Sequence, residues 1–424
     1  MNNHLIFSGV DVTQIAKEYA TPLYVMSHDI LIERIRLLKS VFTEVYPNTR
    51  ILYASKAFLN TGMVQILKSE GIGMDVVSGG ELYTGLMGGM DPEDIFFHGN
   101  NKSPEELGFA LGERVGTIVV DNLYELKQLR ELTASKGIRQ KILLRLSPGL
   151  KAINTHAYIV TGQRDTKFGF QIDRTLFEKT IPEILKDPGL SLEGFHFHIG
   201  SQLFEGETYI KAFHVILDLV KELKATYAYL PRVLNIGGGF GIPYDDKTEP
   251  LDMEKLFREI MTQIDEGFAV LGAPRPQVII EPGRWIAGPA GITLYTLGAI
   301  KTIKNTRTYV AIDGGMADNI RPALYSARYA ADVANKINKE KSQVYTIAGR
   351  ACESGDILIW DVLLPTIESG DLLAVYHTGA YNFSMANNYN RFLIPPVVLV
   401  KDGKTQLMVK GQTYEDLIQR DIKL

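Results

Sequence analysis

Ile51-Leu52-Tyr53-Ala54-Ser55-Lys56-Ala57-Phe58 reads as a short buried strand with a lysine just past its end. Four mostly apolar residues in a row suit a strand covered on both faces, as in a parallel sheet. The same kind of run returns down the chain, with strand candidates beginning near Ile51, Ile72, Ile95, Thr117, Ile142, Leu192, Val233 and Val278. Segments of helical period stand between the early ones, at 61–70, 81–88, 105–112 and 123–136. The first four strands recur about every 22 residues, the length of one βα unit with short loops. Eight such units over about 250 residues predict an α/β fold built on a (β/α)8 TIM-like barrel. An open doubly wound sheet is the alternative, since periodicity does not establish closure. In a barrel the C-terminal strand ends carry the chemistry. Lys56 falls there, with an apolar wall behind it, and a lysine so placed can attack a carbonyl. From these residues alone a solvated lysine closing a strand is the more ordinary reading, and the motifs downstream are what favour chemistry.

Outside this rhythm the texture differs. Residues 22–26 read as a strand that precedes the barrel beat, and after Pro289 come β-like runs at 291–303, 308–312, 344–347 and 372–376 without regular helices between them. The runs 397–401 and 405–410 flank Asp402-Gly403, a tight-hairpin pair. The expected organisation is a segment 1–30 lending a strand to a β domain, a barrel over 31–285, and a C-terminal all-β domain over 286–424.

A chain of 424 residues is too long for one typical domain, in keeping with that division. With 45% hydrophobic and 22% charged residues it has an ordinary globular composition. A net charge of -4 offers nothing that would draw nucleic acid or an anionic membrane. No apolar run reaches the roughly 18 residues of a spanning helix, and Met1-Asn2-Asn3-His4 does not open a signal peptide. Cys352 is the one cysteine, so no disulfide forms within the chain and a reducing, cytoplasmic setting is expected.

Three barrel strands end in chemistry. Gly237-Gly238-Gly239-Phe240-Gly241 follows the seventh, where backbone N–H groups can close round a phosphate; a plain structural turn fits as well. It is no dinucleotide fingerprint, because Ile242 stands where the last glycine would be. Phe195-His196-Phe197-His198-Ile199-Gly200-Ser201 ends the sixth strand, with both histidines on one face. No third ligand of suitable spacing is evident, so no metal is expected, and a flat imidazole against a flat ring explains the stretch better. Val278-Ile279-Ile280-Glu281-Pro282-Gly283-Arg284 ends the eighth. A carboxylate leaving an apolar strand needs a partner: either a pyridinium N–H, kept protonated as an electron sink, or Arg284. In the β domain, loops with polar residues among glycines occur at 313–325, 352–356 and 379–385.

Together, and in this order, these stretches resemble the pyridoxal-phosphate enzymes built on an alanine-racemase-like barrel, and most closely the diaminopimelate decarboxylase family. The resemblance runs from about residue 21 to residue 389. It implies that Lys56 carries pyridoxal 5'-phosphate as a Schiff base, that His198 stacks on the ring and that Glu281 faces the ring nitrogen. Ser201, Gly238 and Gly239 would hold the phosphate, and Asp75, Gly283, Arg284 and Tyr381 would complete the cofactor contacts. Arg284, Arg321, Tyr325, Glu353 and Tyr381 match substrate-holding positions. Cys352 matches a proton donor supplied by the other subunit of a homodimer, and Lys167-Phe168-Gly169 also fits the pattern. Phe58 departs from it, standing where asparagine is usual. The implied reaction is decarboxylation of meso-diaminopimelate to L-lysine. The two arginines suit the substrate's distal carboxylate and Glu353 its distal ammonium. The rival readings are a carboxynorspermidine, D-amino-acid or basic amino-acid decarboxylase of the same fold, and a non-catalytic cofactor-binding homologue. An alanine racemase is disfavoured, because Glu281 would make the ring too strong an electron sink.

Overall fold

A computed structural model describes residues 3–150, 165–244 and 247–424. The chain forms two compact units. One comprises Ile35–Gly241 and Pro250–Trp285; the other comprises Met1–Arg34, Ile242–Glu249 and Ile286–Leu424.

The first unit is a closed barrel of eight parallel strands: Thr49–Ala54, Gly73–Val76, Ile95–Phe97, Thr117–Val120, Gln140–Ser147, Leu190–His196, Val233–Asn235 and Gln277–Ile280. Closure is a hydrogen-bonding fact, since Val278, Ile279 and Ile280 of the eighth strand pair with Thr49, Arg50 and Ile51 of the first. All eight strand candidates are therefore real, and the open-sheet alternative is excluded. Leu52, Phe96, Val119, Leu143 and Ile279, from five different strands, meet in one buried cluster, which explains why these strands read as apolar runs. The helices begin where the sequence supplies caps. Asn60, Ser78, Ser103 and Asn122 each accept a hydrogen bond from a backbone N–H of the first turn, each worth about 1 kcal/mol. Ser103 and Glu106 complete a reciprocal capping box.

The second unit is a β-sheet domain whose central strand is Gly291–Ile303. It pairs antiparallel with Leu23–Ser27, Arg307–Ile312 and Leu372–Val375. Successive strand residues face opposite sides, so this strand feeds two cores: Tyr295 and Leu297 enter one, Ile292 and Leu294 the other. Asp402 and Gly403 both take positive φ, +51° and +67°, at the turn between Val397–Lys401 and Lys404–Val409, as a type I′ hairpin requires. Besides the two-residue pair Ile6–Phe7 and Val10–Asp11, two strands of the larger sheet were not anticipated, Ala331–Val333 and Ile357–Leu364. The first is too short to show a period, and the second is broken by Asp361 at φ +52°. Among the described residues no helix is long and apolar enough to cross a membrane.

Candidate active site

The first barrel strand runs straight into a single 3-10 turn, Ser55–Ala57, which carries Lys56 to the C-terminal rim. Ser55 and Ala57 are buried and Lys56 is exposed. The dry wall thus stands behind the turn and not around the ammonium. The charge of Lys56 reaches Asp75, Glu81 and His198. Burial, and next the charge of Glu281, push the Asp75 carboxyl well above the usual range. Burial, and then Lys56, push the His198 imidazole well below its ordinary value.

Glu281 leaves the eighth strand, next to that of Lys56, and is 6% exposed. Its carboxylate is surrounded by donors from three other strand ends. Asn235 Nδ2 donates to Oε1 at 2.6 Å, and His196 Nε2 lies 3.2 Å from Oε2. His98 Nε2 lies 2.9 Å from Oε1, at an angle too oblique for a good hydrogen bond. Burial alone would raise the Glu281 pKa, but the two imidazoles outweigh it and hold the carboxyl well below the usual range. It remains an anion. Arg284 is not its partner in the barrel; it turns away, and its Nη2 donates to Ser201 Oγ at 3.0 Å. That settles against the Glu281–Arg284 ion pair that the sequence left open.

The glycine turn after the seventh strand is closed by backbone on every side. An added Cβ would lie 2.6 Å from Phe197 O at Gly237, 2.0 Å from Glu281 O at Gly238 and 2.2 Å from Gly200 O at Gly239. Gly237 and Gly239 also take φ +72° and +104°, which favours glycine. The turn is pinned by Tyr209, whose OH donates to Gly238 O at 2.8 Å, and by Gly237 N, which donates to Asn235 Oδ1 at 2.9 Å. Gly283 is likewise filled to its surface, with Ala54 Cβ 2.8 Å from where its own Cβ would be.

Four barrel residues of this rim escaped the sequence reading. His98 follows the third strand, and Asn235 ends the seventh. Arg145, in the fifth, lies flat on Phe168 with its guanidinium 4.3 Å from the ring centre, and Asp121 stands 3.9 Å from its Nε. Gly169 N donates to Asp121 at 3.0 Å, so Lys167-Phe168-Gly169 braces this pair. One rule would have found His98: a polar residue just past a barrel strand, the pattern that singled out Lys56. The expectation that His196 lacks a third neighbour of ligand type is corrected here. His98, His196 and Glu281 bring ligand atoms within 4.8 Å of one another, but from strands far apart in the chain.

In the β-sheet unit, Arg321 and Tyr325 share the short helix Arg321–Tyr325. Arg321 is 5% exposed, donates from Nε to Tyr329 OH at 3.0 Å, and lies over the rings of Tyr325 and Tyr381 at 5.1 and 5.2 Å. Tyr329 was not foreseen. Tyr381 holds φ +64°, uncommon for a bulky residue. Cys352 and Glu353 sit on an exposed loop. Asp356 ties that loop to the one leading towards Arg321, accepting from Ala351 N at 2.8 Å and Met316 N at 2.7 Å.

One consequence of the barrel cluster can be measured directly. Burial pushes the His196 imidazole from its ordinary 6.5 down to about 4. Above 6.5 neither the folded nor the unfolded chain protonates it. As pH falls from 6.5 towards 4, the unfolded chain takes up a proton that the folded chain refuses, so stability falls. The full loss at this residue is roughly 3 kcal/mol. In urea titrations of the cofactor-free protein between pH 7.5 and 4.5, His196→Gln should flatten the slope by close to one proton. An unchanged slope would place the titration elsewhere.

Comparison with known proteins places the chain. A family model for the pyridoxal binding domain of pyridoxal-dependent decarboxylases matches residues 31–288. The chain is 46% identical to a diaminopimelate decarboxylase of Bacillus subtilis over 421 residues, covering 99% of this chain and 96% of that one. It is 41% identical to one from Staphylococcus aureus, covering 100% and 98%. The crystal structure of diaminopimelate decarboxylase from M. jannaschii with L-lysine superposes with a TM-score of 0.93 at 32% identity, covering 100% of this chain and 96% of that one. With a closed barrel that ends in a lysine, a glycine turn and a buried carboxylate, and with these relatives spanning it end to end, the chain belongs to the diaminopimelate decarboxylase family of pyridoxal-dependent decarboxylases.

Proposed function

We propose that this protein decarboxylates meso-diaminopimelate to L-lysine with pyridoxal 5'-phosphate as its cofactor. The observation that carries the reading is the buried carboxylate of Glu281, held by Asn235 and His196, on the strand beside that of Lys56. The residues present fit the cofactor. Lys56 offers an amine for its aldehyde and Glu281 an anion for its ring N–H. The glycine turn, with Ser201 and Arg284 beside it, offers backbone and side-chain donors for its phosphate. His198 would lie against the ring, and Asp75, Gly283 and Tyr381 complete the binding set. When bound, pyridoxal phosphate supplies the electron sink for the pair released as the carboxyl group leaves.

The chain's own groups do the rest. Glu281 would keep the cofactor's ring nitrogen protonated, because an anion beside a pyridine favours its charged form. Lys56 would hold the cofactor covalently through its amine. Cys352 delivers a proton to Cα, a task suited to a thiol near neutral pH. It does so from the second subunit of a homodimer, and the lone thiol accords with a reducing cytoplasm. Arg321, Tyr325 and Glu353, with Arg284, hold the amino-acid end of the substrate that does not react. The bond from Arg321 Nε to Tyr329 fixes the guanidinium plane, which favours two-pronged pairing with a carboxylate. Carboxynorspermidine and simple basic amino acids lack that second amino-acid centre.

The test is release of carbon dioxide and lysine from meso-diaminopimelate by the purified holoenzyme, run beside ornithine, lysine and carboxynorspermidine. Preference for any of these over diaminopimelate would overturn the substrate. The role of Arg321 is read separately from inhibition by product. L-Lysine keeps the distal carboxylate and cadaverine does not, so Arg321→Ala should weaken inhibition by lysine by roughly 10- to 100-fold and leave cadaverine nearly unchanged. Equal weakening of both would make Arg321 a fold residue.

A further inference from the structure

Among the described residues no lysine or arginine lies within ion-pair range of the buried Glu281 carboxylate. Among the described residues its partners within ion-pair range are His98 and His196 alone, and Asn235 supplies the remaining hydrogen bond. These three come from the third, seventh and sixth strand ends, and closure of the barrel is what brings His98 to the other two. The orientation of Asn235 is fixed independently of Glu281. Its Oδ1 accepts from Gly237 N, which leaves Nδ2 facing the carboxylate. A carboxylate only accepts, so His196 presents a protonated Nε2 to it, and His196 Nδ1 is buried without a hydrogen-bond partner. An imidazolium there would bury a second, unpaired N–H. The His196 ring is therefore the neutral tautomer, in keeping with its depressed pKa. The His98 ring meets it edge to face, with centroids 4.7 Å apart at 74°, and holds it in place. The charges that face this cluster from neighbouring strands are Arg145, Asp75, Lys102 and Lys56.

We propose that His196, Asn235 and His98 are positioning residues that hold Glu281 as an aimed anion without neutralising it. Neutral donors stabilise a buried carboxylate yet leave its full negative charge for an incoming cation. A directly bonded arginine would cancel that charge. The inference rests on the decarboxylase reading and extends it, because the cation it anticipates is the protonated ring nitrogen of the cofactor. It also gives the buried glycine turn a second task. Through Gly237 N and Asn235, the backbone offered to the phosphate is coupled to the carboxylate offered to the ring.

The test uses cofactor-free enzyme and two probes: pyridoxal phosphate, and its 1-deaza analogue with carbon in place of the ring nitrogen. Binding of each is followed by absorbance and intrinsic fluorescence. His196→Phe keeps a flat ring but removes the donor. It should weaken pyridoxal phosphate at least about tenfold, the scale of one hydrogen bond to a charged group, with no loss of affinity for the deaza analogue. His196→Gln, which keeps an N–H donor, should restore pyridoxal phosphate binding to within about threefold of wild type, a residual gap smaller than one such bond. His98→Phe, which spares the aligned donors, should show the same selectivity with a smaller loss. Equal losses for both probes, or none for pyridoxal phosphate, would overturn the proposal and leave a packing role. A wild-type protein that binds neither probe would overturn the decarboxylase reading itself, so the two failures are told apart.

Discussion

Lys56→Ala will reduce turnover by roughly 10³-fold or more, since it removes the group that would bind the cofactor covalently. The purified variant should also lose any label that borohydride fixes onto the wild-type chain, and peptide mapping should place that label on Lys56. A label on another lysine would move the site. The same variant tests the shared-site arrangement. Lys56 lies in the barrel and Cys352 in the β-sheet unit, and the proposed donor reaches across a two-fold dimer. Cys352→Ala should by itself cost about 10²- to 10⁴-fold, as general acid–base groups do. Mixing the two inactive homodimers through unfolding and refolding should make about half heterodimers by random pairing. Each heterodimer has one doubly defective site and one intact site, so activity should return to about a quarter of wild type. If each site were built within one subunit, every site would keep a defect and nothing would return. Heterodimers confirmed by differential tags, with no recovered activity, would rule out the cross-subunit thiol.

Gly238→Ala should be strongly destabilising to the barrel unit. Its Cβ would sit 2.0 Å from Glu281 O, a backbone atom of the neighbouring strand end, so relief requires two strands to part. We expect a loss of about 3 kcal/mol or more, read from urea unfolding of the cofactor-free protein, together with loss of phosphate-dependent cofactor binding. Gly272→Ala is the contrast: φ there is +58° but nothing lies within 4 Å, so only the conformational cost of about 1 kcal/mol applies. Similar losses at the two positions would show that the close approach at Gly238 is not what requires glycine.

The barrel was legible because its evidence is local. A buried parallel strand needs a run of apolar residues, a helix needs a period and a cap, and each of the first four units carries its own copy of both. Lys56, the glycine turn and Glu281 stood out for the same reason, as chemistry placed against the expected character of a strand end. Arg321 and Tyr325 were singled out by the family resemblance, but Tyr329, which bonds the arginine, looked like any other tyrosine of the β domain.

By itself the sequence determined the number of barrel strands, the order in which their ends deliver polar groups, and the family. Only the tertiary structure decided closure, through Ile280 pairing with Ile51, and with closure came the company that Glu281 keeps. His98, His196 and Asn235 each sit unremarkably at a strand terminus. They become one donor set because a closed sheet turns distance along the chain into adjacency around a ring. No local periodicity encodes that step: the bond between His196 and Glu281 spans 85 residues, and its geometry depends on the stagger of the seventh strand, which stands between theirs.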